Sequence, residues 1–250
     1  MVPLELCLES VLQQTMLPNE ILIADDGSTN ETKDLISLFQ QRSTTPIKHI
    51  WHEDNGFRLT VIRNKAIAQC SGDYIIQIDG DLILHPQFIE DHIRFAEEKC
   101  FVGGSRVSLQ QNLTQKLQQT KSLSVSCLTP GAKNFFNGIH CNSLSKLFVN
   151  YKKNNIFSVR GCNMAFWKKD LILVNGYNED MIGWGREDSE LVSRLCNANI
   201  RRKFLKFGGI VYHQYHKQSD KQQLNINDNI CKATIESKST FCNNGLNKYL

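Results

Sequence analysis

The stretch Tyr74-Ile-Ile-Gln-Ile-Asp-Gly-Asp81 decides the fold, because it joins an apolar run of strand length to two carboxylates. An upstream stretch of the same design, Glu20-Ile-Leu-Ile-Ala-Asp-Asp-Gly-Ser28, contains a second acidic pair. Short apolar runs that stop at turn residues are typical of buried strands. We therefore predict two strands, each of which ends at a pair of acidic residues.

Helices and strands alternate on both sides of these stretches, as the spacing of apolar residues indicates. The predicted strands are 20–24, 47–51, 74–78 and one that begins at 101, and the predicted helices are 3–12, 29–41, 59–70 and 86–99. Such alternation predicts an α/β fold with a Rossmann-like, mostly parallel sheet flanked by helices. Ligands of such sheets bind at the carboxyl ends of the strands, where both acidic pairs fall.

The second half of the chain is less regular. Residues 110–155 are polar with weak periodicity, which indicates an insertion or a mobile segment. Beyond them the apolar pattern predicts a strand at 158–167, a helix at 186–198, one or two strands at 203–212 and a helix at 226–236.

Composition excludes several classes of protein. Of 250 residues 41% are hydrophobic, which is enough for one sizeable core and excludes a disordered chain. The net charge of +4 is too small an excess to indicate a nucleic-acid partner. Nine cysteines without a C-x-x-C pair predict reduced thiols and a cytoplasmic protein. No apolar run approaches the ~18 residues of a membrane span.

The acidic pair Asp79 and Asp81 has two interpretations. Two carboxylates around one glycine crowd negative charge, which a hard divalent cation beside a phosphate would relieve. The alternative is a solvated turn, since Asp-Gly is a common turn dipeptide.

Two further motifs carry polar side chains. Gly183-Trp-Gly-Arg-Glu-Asp188 places two acids where a helix is predicted to begin, and a favourably charged first turn is the alternative interpretation. Val211-Tyr-His-Gln-Tyr-His216 ends a predicted strand with two histidines, which are either metal ligands or ordinary core and surface residues.

The order and spacing of the two acidic stretches, with Asn55-Gly-Phe-Arg58 and Arg63-Asn-Lys-Ala66 between them, resemble the inverting family-2 glycosyltransferases of the GT-A fold. By this resemblance Asp25 and Asp26 contact the nucleoside of a nucleotide sugar, and Asp79 faces its ribose. Asp81 would then ligate Mn²⁺ or Mg²⁺ against the diphosphate. Arg58 and Arg63 would face phosphate, with surface ion pairs as the alternative.

The Trp-Gly-Arg-Glu-Asp motif resembles that of the galactosyltransferase-type carboxyl-terminal domain. The resemblance implies that Trp184 packs against the acceptor sugar, Glu187 binds its hydroxyl groups and Asp188 is the catalytic base. It also implies one metal-binding histidine near the end of the motif at 211–216, with His216 slightly favoured over His213. Arg186 stands where animal members have glycine, and we expect this difference to affect acceptor choice.

The implied function is metal-dependent, inverting transfer of a sugar from a nucleotide diphosphate, expected to be UDP, to a saccharide or lipid-linked saccharide. Surface polysaccharide or glycolipid synthesis and peripheral contact with a membrane are further implications. The expected division is a nucleotide-sugar-binding half at 1–108, an insertion at 109–155, an acceptor-binding and catalytic part at 156–217 and a tail at 218–250. The tail's first residues, after His216, and the insertion are candidates for ordering on donor binding.

One feature departs from the family pattern. Family members begin with an apolar strand, whereas this sequence starts on the helix that should follow that strand. A catalytically silent, glycosyltransferase-like binding protein is therefore the alternative function. A nucleotidyltransferase is a weaker alternative, because it leaves the motif at 183–188 unexplained.

Overall fold

The computed structural model describes residues 2–217 and 221–250. Its α-helices are α1 (Val2–Leu12), α2 (Asn30–Arg42), α3 (Leu59–Gln69), α4 (Phe88–Phe95), α5 (Gln111–Thr120), α6 (Asn142–Ser145), α7 (Lys168–Leu173), α8 (Glu187–Asn197) and α9 (Leu224–Glu236). Its strands are β1 (Ile21–Asp25), β2 (Ile47–Trp51), β3 (Tyr74–Ile78), β4 (Leu82–Leu84), β5 (Cys100–Gly104), β6 (Val107–Leu109), β7 (Ala132–Lys133), β8 (Asn163–Trp167), β9 (Arg201–Leu205) and β10 (Val211–His213).

The strands form three sheets, with the orders β1-β2, β4-β10-β6-β7 and β3-β8-β5-β9. Strand β8 runs antiparallel to both of its neighbours, with Ile75 opposite Phe166 on one side and Val102 opposite Ala165 on the other. Strands β5 and β9 are parallel, as are β1 and β2 and also β6 and β10. The structure is therefore α/β with helices flanking its sheets.

The expectation of a mostly parallel sheet is corrected to mixed sheets. Alternating helices and strands predict parallel pairing only where a helix joins two neighbouring strands. Strand β8 instead follows the long segment after β7 and enters between β3 and β5 in the opposite direction. The pattern of the first hundred residues could not predict this insertion, because β8 lies at 163–167.

Most predicted elements are confirmed, and β2 and β3 agree with the prediction at both ends. The helix predicted at 86–99 is shorter, because it ends at Phe95 and the chain turns through Lys99, whose φ is 56°. Strands β4, β6 and β7 were not predicted. With three, three and two residues they are too short to show a period.

The four-part division of the chain stays a prediction. Strands that precede and follow the segment 109–155 pair in the same sheets, as β3 does with β8 and β5 with β9. The segment itself contains α5, β7 and α6. Strands β1 and β3, which each lead into an acidic pair, belong to separate sheets.

Two expectations from composition can be compared with the structure. All nine cysteines are free thiols, as predicted. In the described part of the chain no helix has both the length and the apolar character needed to cross a membrane.

The largest apolar cluster lies behind the carboxyl-terminal motif. Leu191, Val192 and Leu195 of α8 pack with Phe166 of β8 and with Tyr177, and all five side chains are at most 1% exposed. Helix α8 is thereby fixed against the sheet that contains β3. Its first turn carries Glu187 and Asp188, so this packing positions both acids.

A buried ion pair also anchors α8. The guanidinium of Arg194 donates to Glu190 through Nε at 2.9 Å and Nη2 at 2.6 Å, and through Nη1 to the carbonyl of Val174. Both side chains are 1% exposed, and Thr234 donates a further hydrogen bond to Glu190 at 3.1 Å. A buried guanidinium needs such a partner, because burial of an unpaired charge is costly.

We predict that Glu190→Gln lowers the free energy of unfolding by about 3 kcal/mol, because it leaves Arg194 charged and buried without a counter-ion. Urea unfolding followed by circular dichroism measures the change. The control is Glu98→Gln in the exposed pair with Lys169, whose loss we expect to change the free energy of unfolding far less, because water solvates both charges. Equal costs for the two variants would contradict the anchoring role.

Candidate active site

A single guanidinium connects the two predicted acidic motifs. Arg63, on α3, contacts Asp79 through Nη2 at 3.3 Å and Asp188 through Nη1 at 3.1 Å. Arg63 itself is 8% exposed. Burial opposes its charge, but Tyr177, Asp188 and Asp79 outweigh this effect and raise the pKa of Arg63. Arg63 is therefore a permanent cation between residues that are 109 positions apart in the sequence.

The Asp188 carboxylate is held by three neighbours in addition to its helix. Oδ1 accepts from Arg63 and from the hydroxyl of Tyr177 at 3.3 Å, and the backbone N–H of Gly161 also contributes a hydrogen bond. A Cβ atom at Gly161 would lie 2.2 Å from Oδ2 of Asp188, so a side chain at position 161 would displace this carboxylate. The Tyr177 hydroxyl also lies 2.8 Å from Oε1 of Gln77 on β3, so its single proton is shared between these two acceptors.

The two acids of the first turn of α8 have raised pKa values. Burial, and then the charge of Asp188, raise the pKa of Glu187 to about 7, while Arg63 opposes the shift. Burial likewise raises the pKa of Asp188, against the effect of Arg63. Oε2 of Glu187 accepts the N–H of Gly185 at 2.8 Å. The pair therefore accepts protons more readily than ordinary carboxylates do.

Asp81 lies beside both candidate histidines. Its Oδ2 is 3.5 Å from Nε2 of His213 and 3.3 Å from Nε2 of His216. Ligand atoms of the three side chains all lie within 4.8 Å of one another, and this group is the one such cluster in residues 2–217 and 221–250. Burial, followed by the nearby charges of Arg106 and His216, lowers the pKa of His213 against the effect of Asp81, which favours the neutral imidazole that binds metals.

The residues present fit a divalent cation. Oδ1 of Asp81 is buried and has no hydrogen-bond partner, which leaves an oxygen ligand free. One carboxylate with two imidazoles suits Mn²⁺ better than Mg²⁺, which prefers oxygen ligands alone. The choice between His213 and His216 stays open, because both are equally placed to bind.

The upstream acidic pair makes separate contacts with histidines. Oδ2 of Asp25 is 2.7 Å from Nε2 of His49, and Oδ1 of Asp26 is 2.5 Å from Nε2 of His52. Burial alone would raise the pKa of Asp25, but hydrogen bonds from Ser28 and the contact with His49 lower it overall. Asp25 is therefore a stable carboxylate at the end of β1.

Arg58 belongs to the same neighbourhood. Its backbone N–H donates to Oδ2 of Asp26 at 2.7 Å, and its Nη2 donates to the carbonyl of Glu53 at 2.5 Å. The buried Nε atom has no partner. The expectation that Arg58 and Arg63 face phosphate stays a prediction, and in this structure Arg63 faces two carboxylates instead.

The loop before α8 exposes Trp184 and turns sharply. Gly183, Gly185 and Arg186 have φ angles of 74°, 114° and 71°. A Cβ atom at Gly185 would lie 2.7 Å from Cδ1 of Leu224 on α9, so the loop requires glycine there. Trp184 is 39% exposed, and its ring is therefore available for a ligand to stack upon.

Arg186 is held away from Asp188. Its Nε donates to Asp228 of α9 at 2.7 Å, and its guanidinium lies 4.9 Å from the ring centre of Phe157. The expected effect of Arg186 on acceptor choice stays a prediction.

The structure brings together Asp79, Arg63 and Asp188, and separately Asp81, His213 and His216, which the Asp79-Gly80-Asp81 turn links covalently. Sequence analysis missed Tyr177 and Gln77, for which no local motif exists. It also missed His49 in β2 and His52, the residue after β2, which contact Asp25 and Asp26 only in the folded chain. Gln218 and Ser219, in the loop expected to order on donor binding, lie outside the described residues.

Known protein families and solved structures resemble this chain. A sequence model of glycosyl transferase family 2 matches residues 3–172, and one described as the N-terminal domain of galactosyltransferase matches residues 142–217. The chondroitin synthase of Escherichia coli is 24% identical over 229 residues, which cover 81% of this chain. The chain spans only 31% of the length of that relative.

Solved structures agree in fold. TarS from S. aureus, solved as residues 1–349 with UDP, is 14% identical with a TM-score of 0.60, and the match covers 94% of this chain and 64% of that one. The mannosyltransferase PcManGT from Pyrobaculum calidifontis, solved with GDP-Man and Mn²⁺, is 15% identical with a TM-score of 0.58 and a coverage of 87% and 55%. These likenesses confirm the predicted GT-A fold. Because the family 2 model matches more than half of the residues of this chain, the chain belongs to glycosyl transferase family 2.

Proposed function

We propose that this chain transfers a sugar from a UDP-linked donor to a hydroxyl group of a saccharide acceptor, with inversion at the anomeric carbon. The observation that carries the proposal is the guanidinium of Arg63 between Asp79 and Asp188. It brings the acid predicted to face the donor's ribose next to the acid predicted to act as base. The UDP held by the TarS structure and the name of the chondroitin synthase support the donor and the polysaccharide acceptor.

Residues at the carboxyl ends of β1 and β3 bind the donor. Asp25 and Asp26 accept hydrogen bonds from the nucleoside, and Asp79 does so from the ribose. His49 and His52 hold the first two carboxylates in place from behind. Arg63 lies between Asp79 and Asp188 and offsets the repulsion between the two carboxylates.

The chemical step is one displacement. A bond forms between the acceptor oxygen and the anomeric carbon as the bond from that carbon to the diphosphate oxygen breaks, and the acceptor's proton passes to Asp188. Inversion follows from the single attack. Tyr177 and Gly161 orient the Asp188 carboxylate, and Trp184 and Glu187 position the acceptor sugar.

Asp81, His213 and His216 are the residues that would hold Mn²⁺ or Mg²⁺. When bound, the ion supplies positive charge to the diphosphate. In this chain the free Oδ1 of Asp81 is the group best placed to bind it.

The first prediction concerns the base. Asp188→Asn should reduce turnover about 10²–10⁴-fold and leave UDP affinity unchanged, because the amide cannot take up the proton. Product formation from a panel of UDP-sugars measures turnover, and calorimetry measures UDP binding. Asp34→Asn, an exposed site on α2, is the matched control.

Turnover near wild type in Asp188→Asn would remove Asp188 from the role of base. A wild-type chain that binds UDP and transfers no sugar to any acceptor tested would favour the silent binding protein.

The second prediction concerns the metal. Asp81→Asn and the double variant His213→Ala/His216→Ala should each weaken Mn²⁺ binding by more than about tenfold, since even loss of an outer partner of a metal ligand costs that much. Electron paramagnetic resonance of free Mn²⁺ measures the affinity, and Asp34→Asn again serves as control. Unchanged affinity in both variants would place the metal elsewhere.

The third prediction concerns pH. At saturating Mn²⁺, kcat/KM should fall about tenfold per unit as the pH drops below about 7, because the Glu187–Asp188 pair then takes up a proton. In Glu187→Gln this acid limb should move to lower pH, because Asp188 loses a neighbouring negative charge. An acid limb at the same pH in both enzymes would show that another group controls it.

A further inference from the structure

A long part of the chain contains no acidic residue. Between Glu98 and Asp170 the sequence has 71 residues with 11 Lys and Arg and no Asp or Glu, although the whole chain has 25 acidic residues. Charge is therefore distributed unevenly, in a chain whose net charge is only +4. A local excess of this kind creates a positive potential that the net charge does not reveal.

Four lysines of this part of the chain are not neutralised by a carboxylate of the described residues. Lys133, Lys146, Lys152 and Lys153 are exposed, and none forms an ion pair with a carboxylate in the described parts of the chain. Burial, and then the charge of Lys152, lower the pKa of Lys206, the residue after β9. The charges of Lys152 and Lys206 therefore repel each other.

Large apolar side chains are exposed among these lysines. The exposed fractions are 78% for Leu147, 61% for Phe136, 45% for Phe135 and 37% for Phe148. Isolated exposed apolar residues are common on proteins, but an exposed cluster indicates an interaction site. We call these four residues, together with Lys146 and Lys152, the basic apolar surface.

Ring contacts join the parts of this surface. The rings of Phe135 and Phe136 are 4.0 Å apart in the 3₁₀ turn 135–138. Lys206 donates to Asn137 of that turn at 2.6 Å and lies 5.4 Å from the ring of Phe207. The Phe207 ring is in turn 5.3 Å from that of Phe148. The aromatic residues on either side of α6 thus lie along one continuous face.

We infer that the basic apolar surface binds the surface of an anionic membrane. Lysine ammonium groups attract anionic headgroups, while phenylalanine and leucine side chains enter the boundary between headgroups and acyl chains. Leu147 favours lipid over an acidic polysaccharide, because an aliphatic side chain has no ring to stack on a sugar and gains by leaving water. The inference does not depend on the proposed function.

The surface is firmly attached to the body of the protein. Arg202 of β9 is 4% exposed and donates to the carbonyl of Lys152 at 3.2 Å, and to the carbonyl of Asn155 and the hydroxyl of Ser158 at 2.8 Å each. The same loop continues to Gly161, which contacts Asp188. A membrane bound at this surface would therefore lie along the chain segment that leads to the candidate base.

The experiment is flotation of the full chain with vesicles. We expect binding to vesicles of equal parts phosphatidylcholine and phosphatidylglycerol, and little binding to phosphatidylcholine alone. Lys146→Gln and Lys152→Gln should each weaken binding about fivefold, the effect of one basic residue near an anionic surface. Phe136→Ser/Leu147→Ser should weaken it at least as much, and at high salt the apolar contribution should persist.

The matched control is Lys33→Gln/Leu38→Ser, which changes an exposed lysine and a 60% exposed leucine on α2 and should bind as wild type does. Thermal unfolding shows whether each variant is folded. Absence of binding, equal binding to neutral vesicles, or equal loss in the control would overturn the inference. Binding to heparin that is unaffected by Phe136→Ser/Leu147→Ser, without binding to vesicles, would identify an acidic polysaccharide as the partner instead.

Discussion

The contact of one buried guanidinium with two carboxylates is the constraint on which the site depends. The proposed mechanism places both Asp79 and Asp188 near the reacting atoms, where two neighbouring carboxylates repel each other. Arg63 lies between them and is inaccessible to competing solvent ions. Helices α3 and α8 and strand β3 must therefore keep their relative positions, which the apolar cluster around Tyr177 secures.

Backbone conformation sets the remaining geometry. The Asp188 carboxylate occupies the space where a side chain at position 161 would lie, and the turn before α8 needs glycine at 185 because of Leu224. Glycine in these positions exchanges conformational stability for close approach. Glycine at position 161 thus leaves the space that the Asp188 carboxylate occupies.

Much of the fold and part of the site could be predicted from the sequence, and the physical reason is locality. Strands β2 and β3 and the acidic turn at 79–81 are defined by side chains a few residues apart, so a pattern reveals them. The antiparallel insertion of β8, the Tyr177 hydroxyl and the pairing of Arg63 with Asp188 depend on residues that meet only in the folded chain. No spacing rule contains such information, and only the resemblance to a family anticipated that the two acidic motifs meet.

This protein has two kinds of positive charge, buried arginines with carboxylate partners and exposed lysines without them. Arg63 and Arg194 are buried, and carboxylate partners within the fold neutralise their charges. Lys133, Lys146, Lys152 and Lys153 are exposed and have no such partners in the described chain, and exposed leucine and phenylalanine side chains lie near them in the sequence. Folding gains nothing from mutual repulsion or from apolar side chains left in water. A surface with both properties is therefore better explained by a binding partner than by stability, and an anionic, partly apolar partner removes both costs at once.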